Sequence, residues 1–145
     1  MNQPTIRQAS PNDLTTIKQL LESASLPTLG VAEHVQHYLV AEKEGAIVGT
    51  IGLEVYGETA LLRSAVVASD LQKTGIGSLL YTHNLAQARQ LGVQRLILLT
   101  NTAEKYFARK GFKKIDQKSV TGPITVSVEF TGVCPSHAAC MELVL

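Results

Sequence analysis

Two periodicities run along this chain: alternation of apolar and polar positions marks strands, and recurrence every three to four residues marks helices. Thr5 to Ala9 alternates sides and reads as a short strand. Ser10-Pro11-Asn12-Asp13 supplies a helix start, with Ser at the N-cap, Pro in the first turn and an acid three residues on. Leu14, Ile17, Leu20, Leu21 and Ala24 then give that helix one apolar face, and Pro27 and Gly30 break it. Val31 to Val35 reads as a second short helix leading into a strand at Tyr38 to Ala41. The turns Glu42-Lys43-Glu44-Gly45 and Tyr56-Gly57-Glu58 flank a strand from Ala46 to Val55, and a further strand runs from Ala60 to Val67.

Ile76 to Leu91 repeats at helical spacing until Gly92 stops it, and Gln94 to Thr100 is an apolar run suited to a buried strand. Ala103 to Arg109 reads as a short helix ended by Lys110-Gly111, and Phe112 to Asp116 as another strand. The order is that of a mixed α/β (α+β) chain. Between the strand ending at Val67 and the helix beginning at Ile76 lies Gln72-Lys73-Thr74-Gly75-Ile76-Gly77. A strand, a glycine-containing turn and a helix start present unpaired N–H groups and the positive end of a helix dipole. Gly75 and Gly77 remove side chains that would hold a phosphate off the backbone, and Lys73 adds a mobile charge. The loop lacks the lysine of a Walker motif before Ser78 and the third glycine of a dinucleotide fingerprint.

Composition narrows the class. With 145 residues, the chain reads as one domain over residues 1–145; 45% apolar and 17% charged residues indicate a globular balance rather than disorder. A formal charge of +1, no basic tail and few aromatics argue against nucleic acid as a partner. No apolar run approaches the roughly 18–20 residues of a membrane span. Met1-Asn2-Gln3-Pro4 does not read as a signal peptide, so the expected compartment is the cytoplasm.

The loop, as Q-x-x-G-x-G after a strand ending in Val66-Val67, resembles the acetyl-CoA loop of the GNAT superfamily of N-acetyltransferases. Phe107-Ala108-Arg109-Lys110-Gly111-Phe112 resembles that family's short helix ending in Gly-Phe, and the order of elements is similar over essentially the whole chain. The resemblance implies a GNAT fold, a mixed central sheet with a splayed strand pair that binds acetyl-CoA, and direct acetyl transfer to an amine. Leu98 to Phe107 is similar to a stretch of bacterial N-acetylglutamate synthase domains. Gly52 to Gly57, Leu61 to Ser64 and Cys134 to Met141 resemble the small acetyltransferases encoded with arsenic-resistance genes.

These resemblances imply a site. Gln72, Lys73, Thr74, Gly75, Ile76, Gly77 and Ser78 would hold the phosphates of acetyl-CoA, with Val66 and Val67 along its peptide-like arm. The N–H of Val67 would serve as oxyanion donor and Glu54 as the base. Arg63 could clamp a substrate carboxylate, with Ser64, Thr100 and Thr102 adding hydrogen bonds; an internal ion pair is the alternative for Arg63. Many members carry a proton-donating tyrosine where this chain has Phe107, which leaves Tyr106, expected to point elsewhere, as a distant substitute.

The expected acceptor is a small amine, an amino acid or an arsenic-containing analogue. A peptide or protein N-terminus and a silent CoA-binding module are the rivals, and the chain is expected to act as a monomer or homodimer. No metal is expected, because Cys134, His137 and Cys140 lack a fourth ligand; arsenic bound by the two thiols is a remoter reading. His83 falls with Ile76, Leu79 and Leu80 on the apolar helix face and reads as a core histidine. His34 and His37 lie near the substrate side without an assigned role.

Overall fold

A computed structural model describes residues 3–127, 129–130 and 138–145. Its strands are β1 (Thr5–Gln8), β2 (Tyr38–Lys43), β3 (Ala46–Tyr56), β4 (Thr59–Val67), β5 (Arg95–Thr100), β6 (Lys113–Ile115) and β7 (Ala139–Val144). The helices are α1 (Leu14–Ser23), α2 (Ile76–Gln90) and α3 (Glu104–Arg109). Pro11–Asp13 forms a 3-10 turn ahead of α1, where the Ser10 N–H donates to Asp13 Oδ2 at 2.8 Å. The segment expected as a second short helix is also 3-10, spanning Ala32–His37.

All seven strands form one sheet in the order β1-β2-β3-β4-β5-β7-β6. The β4–β5 pairing is parallel and the other neighbours are antiparallel, so the sheet is mixed. β7 is an internal strand, inserted between β5 and β6. Alternation sends successive side chains to opposite faces. Leu39, Leu53, Leu62, Leu96 and Leu98 pack with Ile76, Leu80 and Ala88 of α2. Tyr38 and Val40 pack on the other face with Ile17 and Leu21 of α1. Leu61 and Ile97 join Val120, Ile124 and Cys140 in a third cluster. Among the described residues no helix is long and apolar enough to cross a membrane.

One expected core residue is corrected. His83 is exposed, with Nδ1 at 3.0 Å from the Leu79 carbonyl oxygen. The buried stripe of α2 runs through Ile76, Leu80, Tyr81, Asn84 and Ala88. His83 is turned about 100° from Asn84, one residue's rotation in a helix. Asn84, which the sequence does not flag, takes the interior position.

Tyr38 pairs across the sheet with Gly52 and lays its ring over the space a side chain would fill. Its hydroxyl thereby reaches Ser64 Oγ at 2.7 Å on the next strand but one. A Cβ at Gly52 would stand 2.3 Å from Tyr38 Cζ. Gly52→Ala is therefore expected to displace the ring and cost about 1–3 kcal/mol, as overpacked cores do. Chemical denaturation of the variant checks this, and an unchanged midpoint would show that the ring is free to move.

Candidate active site

The site begins where β4 stops being a regular strand. Gly52 pairs with Arg63 but Thr50 pairs with Val66, so β4 carries one extra residue opposite Ile51. Ser64, at φ 62°, is left-handed at this bulge. On its other side β4 pairs with β5 only through Thr59, Ala60 and Leu61, after which the two strands part. The Ala68 N–H bonds the Val48 carbonyl at 2.8 Å. Antiparallel bonding alternates, so Val66 is turned toward β3 and the N–H and C=O of Val67 face the open side. Gln72 Nε2 donates to that Val67 carbonyl at 3.2 Å.

Beyond the parting lies a cleft of about 790 Å³, lined by Val66, Val67, Gln72, Lys73, Gly75, Gly77 and Ser78 together with Tyr106 of α3. The backbone turns left-handed at Lys73 (φ 67°) and Gly75 (φ 93°) before entering α2. The ladder of α2 begins with Leu79 N–H to the Gly75 carbonyl at 3.0 Å. Ile76, Gly77 and Ser78 therefore have N–H groups with no partner one turn back. Two of the loop's expected side chains do other work. Ile76 is 4% exposed in the core, and Thr74 Oγ1 donates to the Leu71 carbonyl at 2.5 Å. A Cβ on Gly77 would stand 3.7 Å from Val67 Cγ2, within the space that an anion needs at this helix end.

A smaller cavity of about 120 Å³ shares Leu26, Ala65, Thr102, Ala103 and Phe107 with the cleft, and so adjoins it. Arg63, Ser64, Thr100, Thr102 and Glu129 also line it. The structure thus brings the four expected substrate residues together but corrects what two of them do. Arg63 is no open clamp; it is the centre of a buried network. Its Nη1 donates to Glu54 Oε2 at 2.7 Å, Nε lies 3.2 Å from Glu129 Oε2, and Nη2 donates to the Pro27 carbonyl at 3.2 Å. Thr100 Oγ1 accepts the Ala103 N–H at 3.0 Å, which organises the chain just ahead of α3.

Glu54, expected as the base, does not face either cavity. It is 1% exposed and lies diagonally across from Arg63. Burial alone would raise its pKa, but hydrogen bonds from Tyr56, Ser127 and Arg63 outweigh burial and hold it below the usual carboxylate value. The Tyr56 hydroxyl donates to Glu54 Oε1 at 2.5 Å, and His34 Nε2 lies 3.8 Å from the same oxygen. Burial pushes the Tyr38 phenol up to about 12, so it remains a proton donor at neutral pH. Glu129, Tyr38 and Tyr56 were not singled out by the sequence, where nothing ties them to Arg63.

Phe107 is buried between the two cavities and stacks edge-on to Phe112 with centroids 5.4 Å apart. Tyr106, expected to point elsewhere, lines the cleft and its hydroxyl lies 3.1 Å from Ser78 Oγ. Lys105 and Arg109 of α3 line the cleft as well; their i, i+4 spacing on a helix was the available signal. Cys134 and His137 lie outside the described residues. Cys140 is buried, and burial raises its thiol to about 11, which keeps it protonated.

Residues 34–114 match the family model described as an acetyltransferase (GNAT) domain. The chain is 32% identical over 146 residues to an amino-acid acetyltransferase of Mycobacterium tuberculosis, covering 92% of this chain and 79% of that protein. It is 35% identical over 119 residues to an amino-acid acetyltransferase of Ralstonia nicotianae, covering 74% of this chain but only 26% of the relative's length. A Mycobacterium tuberculosis protein solved in complex with CoA superposes with a TM-score of 0.81 at 28% identity, covering 98% of this chain and 99% of the other. The N-acetylglutamate synthase from Neisseria gonorrhoeae, complexed with coenzyme A and N-acetyl-glutamate, shares the fold with a TM-score of 0.83 at 21% identity. That match covers 99% of this chain and 35% of the synthase. A chain that fits the GNAT model over more than half its length, and shares nearly its whole extent with a CoA-bound relative, belongs to the GNAT acetyltransferase family: it is an N-acetyltransferase that draws its acetyl group from acetyl-CoA.

Proposed function

We propose that the acceptor is the amine of a small amino acid, or of an arsenic-containing analogue of one. The observation that carries this reading is the 120 Å³ cavity beside the cofactor cleft, where Arg63, Ser64, Thr102 and Glu129 interrupt apolar walls. A space of that size takes a compact acceptor and weighs against a peptide chain. The relatives named amino-acid acetyltransferase support the same substrate class. The arsenic-containing option rests on the resemblance of Gly52 to Gly57 and Leu61 to Ser64 to the arsenic-resistance acetyltransferases.

Acetyl-CoA supplies an acyl group already activated as a thioester. The N–H groups of Ile76, Gly77 and Ser78, with Lys73, hold its diphosphate, and Gln72 steadies the Val67 carbonyl beside it. The open side of β4 at Val66 and Val67 takes the peptide-like arm as an added strand would be taken. The Val67 N–H donates to the acetyl oxygen, where negative charge develops. In the small cavity Ser64 and Thr102 offer hydroxyls to the acceptor, while Arg63 stays within its buried network and holds Glu129 at the wall. Glu129 is the carboxylate that borders this cavity, and it receives the proton that the ammonium must lose before attack. Glu54 then acts through Arg63, as a positioning residue. Phe107 has no proton to give, and the CoA thiolate leaves well enough to take one from water.

A thiol-release assay with acetyl-CoA against amino acids, arsenic-containing amino acids, polyamines and short peptides tests the acceptor class. Turnover is expected with a carboxylate-bearing amine; turnover confined to polyamines or peptides would overturn the assignment. Gly77→Glu fills the cradle and opposes phosphate with like charge. It is expected to abolish acetyl-CoA binding in a thermal-shift titration while the circular dichroism spectrum is retained. Glu129→Gln is expected to lower kcat about a hundredfold, within the range for a lost general base, with acetyl-CoA affinity unchanged. A parallel loss of cofactor affinity would assign Glu129 to the fold instead.

A further inference from the structure

The cleft holds more positive charge than a diphosphate requires. Lys73, Lys105 and Arg109 line it, and among the described residues no Asp or Glu does. A diphosphate diester carries one negative charge on each phosphorus. The N-terminus of α2, worth roughly half a positive charge, and Lys73 beside it come close to meeting that. Lys105 and Arg109 stand on a different element, α3, one helical turn apart and both facing the cleft. Both are exposed, and among the described residues neither has a carboxylate within ion-pair distance. The acidic residue of the same helix, Glu104, is directed to Lys114 at 4.0 Å.

Two further contacts set α3 against α2. The Tyr106 hydroxyl lies 3.1 Å from Ser78 Oγ in the first turn of α2. Lys110 Nζ sits 5.4 Å from the Tyr106 ring centroid and 5.6 Å from that of Tyr81 on α2. Tyr106 lies between Lys105 and Arg109 in sequence, so its anchorage holds their helix face toward the phosphate-binding end of α2. A merely solvated lysine and arginine would gain nothing from lining a cleft that already holds a like charge, because each raises the cost of the others.

CoA carries, besides its diphosphate, a phosphomonoester on the ribose of its adenosine end. A monoester phosphate is worth about −1.5 to −2 charges at pH 7 and has three acceptor oxygens. We infer that Lys105 and Arg109 form a second phosphate subsite that binds this monoester and makes the enzyme select CoA over dephospho-CoA. Arg109 offers paired donors suited to two phosphate oxygens, and Lys105 a compact charge one turn away. The inference rests on acetyl-CoA occupying the cleft.

Titration calorimetry of the whole chain with CoA and with dephospho-CoA, which lacks only the monoester, tests it. The unmodified protein is expected to bind CoA about tenfold or more tightly than dephospho-CoA, a difference equivalent to about 1.4 kcal/mol. In the Lys105→Ala/Arg109→Ala double variant the ratio is expected to fall to about one, through loss of affinity for CoA alone. Unchanged dephospho-CoA binding in that variant would show that the cleft itself is intact. Equal weakening toward both ligands would overturn the subsite and assign the two cations to the diphosphate or to the fold. An unchanged ratio would overturn it too. Failure of the unmodified protein to bind either ligand would overturn the CoA assignment of the cleft, and the subsite with it.

Discussion

β4 and β5 share hydrogen bonds at Thr59, Ala60 and Leu61 and then separate, and everything that makes this chain a catalyst depends on that parting. A parallel pair carried to full length would consume the N–H and C=O of Val67 in a ladder, leaving nothing to receive a peptide-like ligand. The bulge at Ser64 helps to set the parting, since an extra residue bends a strand and increases its local twist. It also fixes where side chains go. A one-residue offset exchanges the two faces of a strand, so the positions before and after Ser64 answer to different neighbours.

Electrostatics divides the site into two compartments of opposite character. The cofactor cleft is cationic, with Lys73, Lys105 and Arg109 and, among the described residues, no carboxylate on its walls. The adjoining network sets one guanidinium, Arg63, between two carboxylates, Glu54 and Glu129. Buried charge of this kind costs several kcal/mol per ion to desolvate and is kept only where the partners are well placed. Removing one member would leave the others uncompensated, at about 3–5 kcal/mol. Tyr38, laid over Gly52 and bonded to Ser64, ties this network to the bulge. The polar centre and the strand geometry therefore support one another.

Where local period set the structure, it could be read directly. The alternation in Ala46 to Val55 and the helical spacing from Ile76 to Leu91 reappear as β3 and α2 with their ends moved by a residue. The loop from Gln72 to Gly77 combines glycine, positive φ and a helix start, all of which are local properties. The apolar period of α2 misled at His83, because the stripe is decided by what the sheet covers, and Asn84 is what it covers. The segment Ala139 to Val144 carries no local sign of its place in the sheet. Its insertion between β5 and β6 is a long-range pairing, with Arg95 to Thr100 on one side and Lys113 to Ile115 on the other.

The sequence by itself determined the element order, the phosphate-binding loop and the absence of a tyrosine at Phe107, because each depends on residues near one another in the chain. Only the tertiary structure decided the surroundings of Arg63. Its partners come from Pro27, Glu54, Ser64 and Glu129, and a charge answers to distance and burial, which sequence spacing does not encode. The same holds for Lys105 and Arg109. Their helical spacing was visible, but that the face they share overlooks a cleft already holding Lys73 is a consequence of how α3 is set against α2.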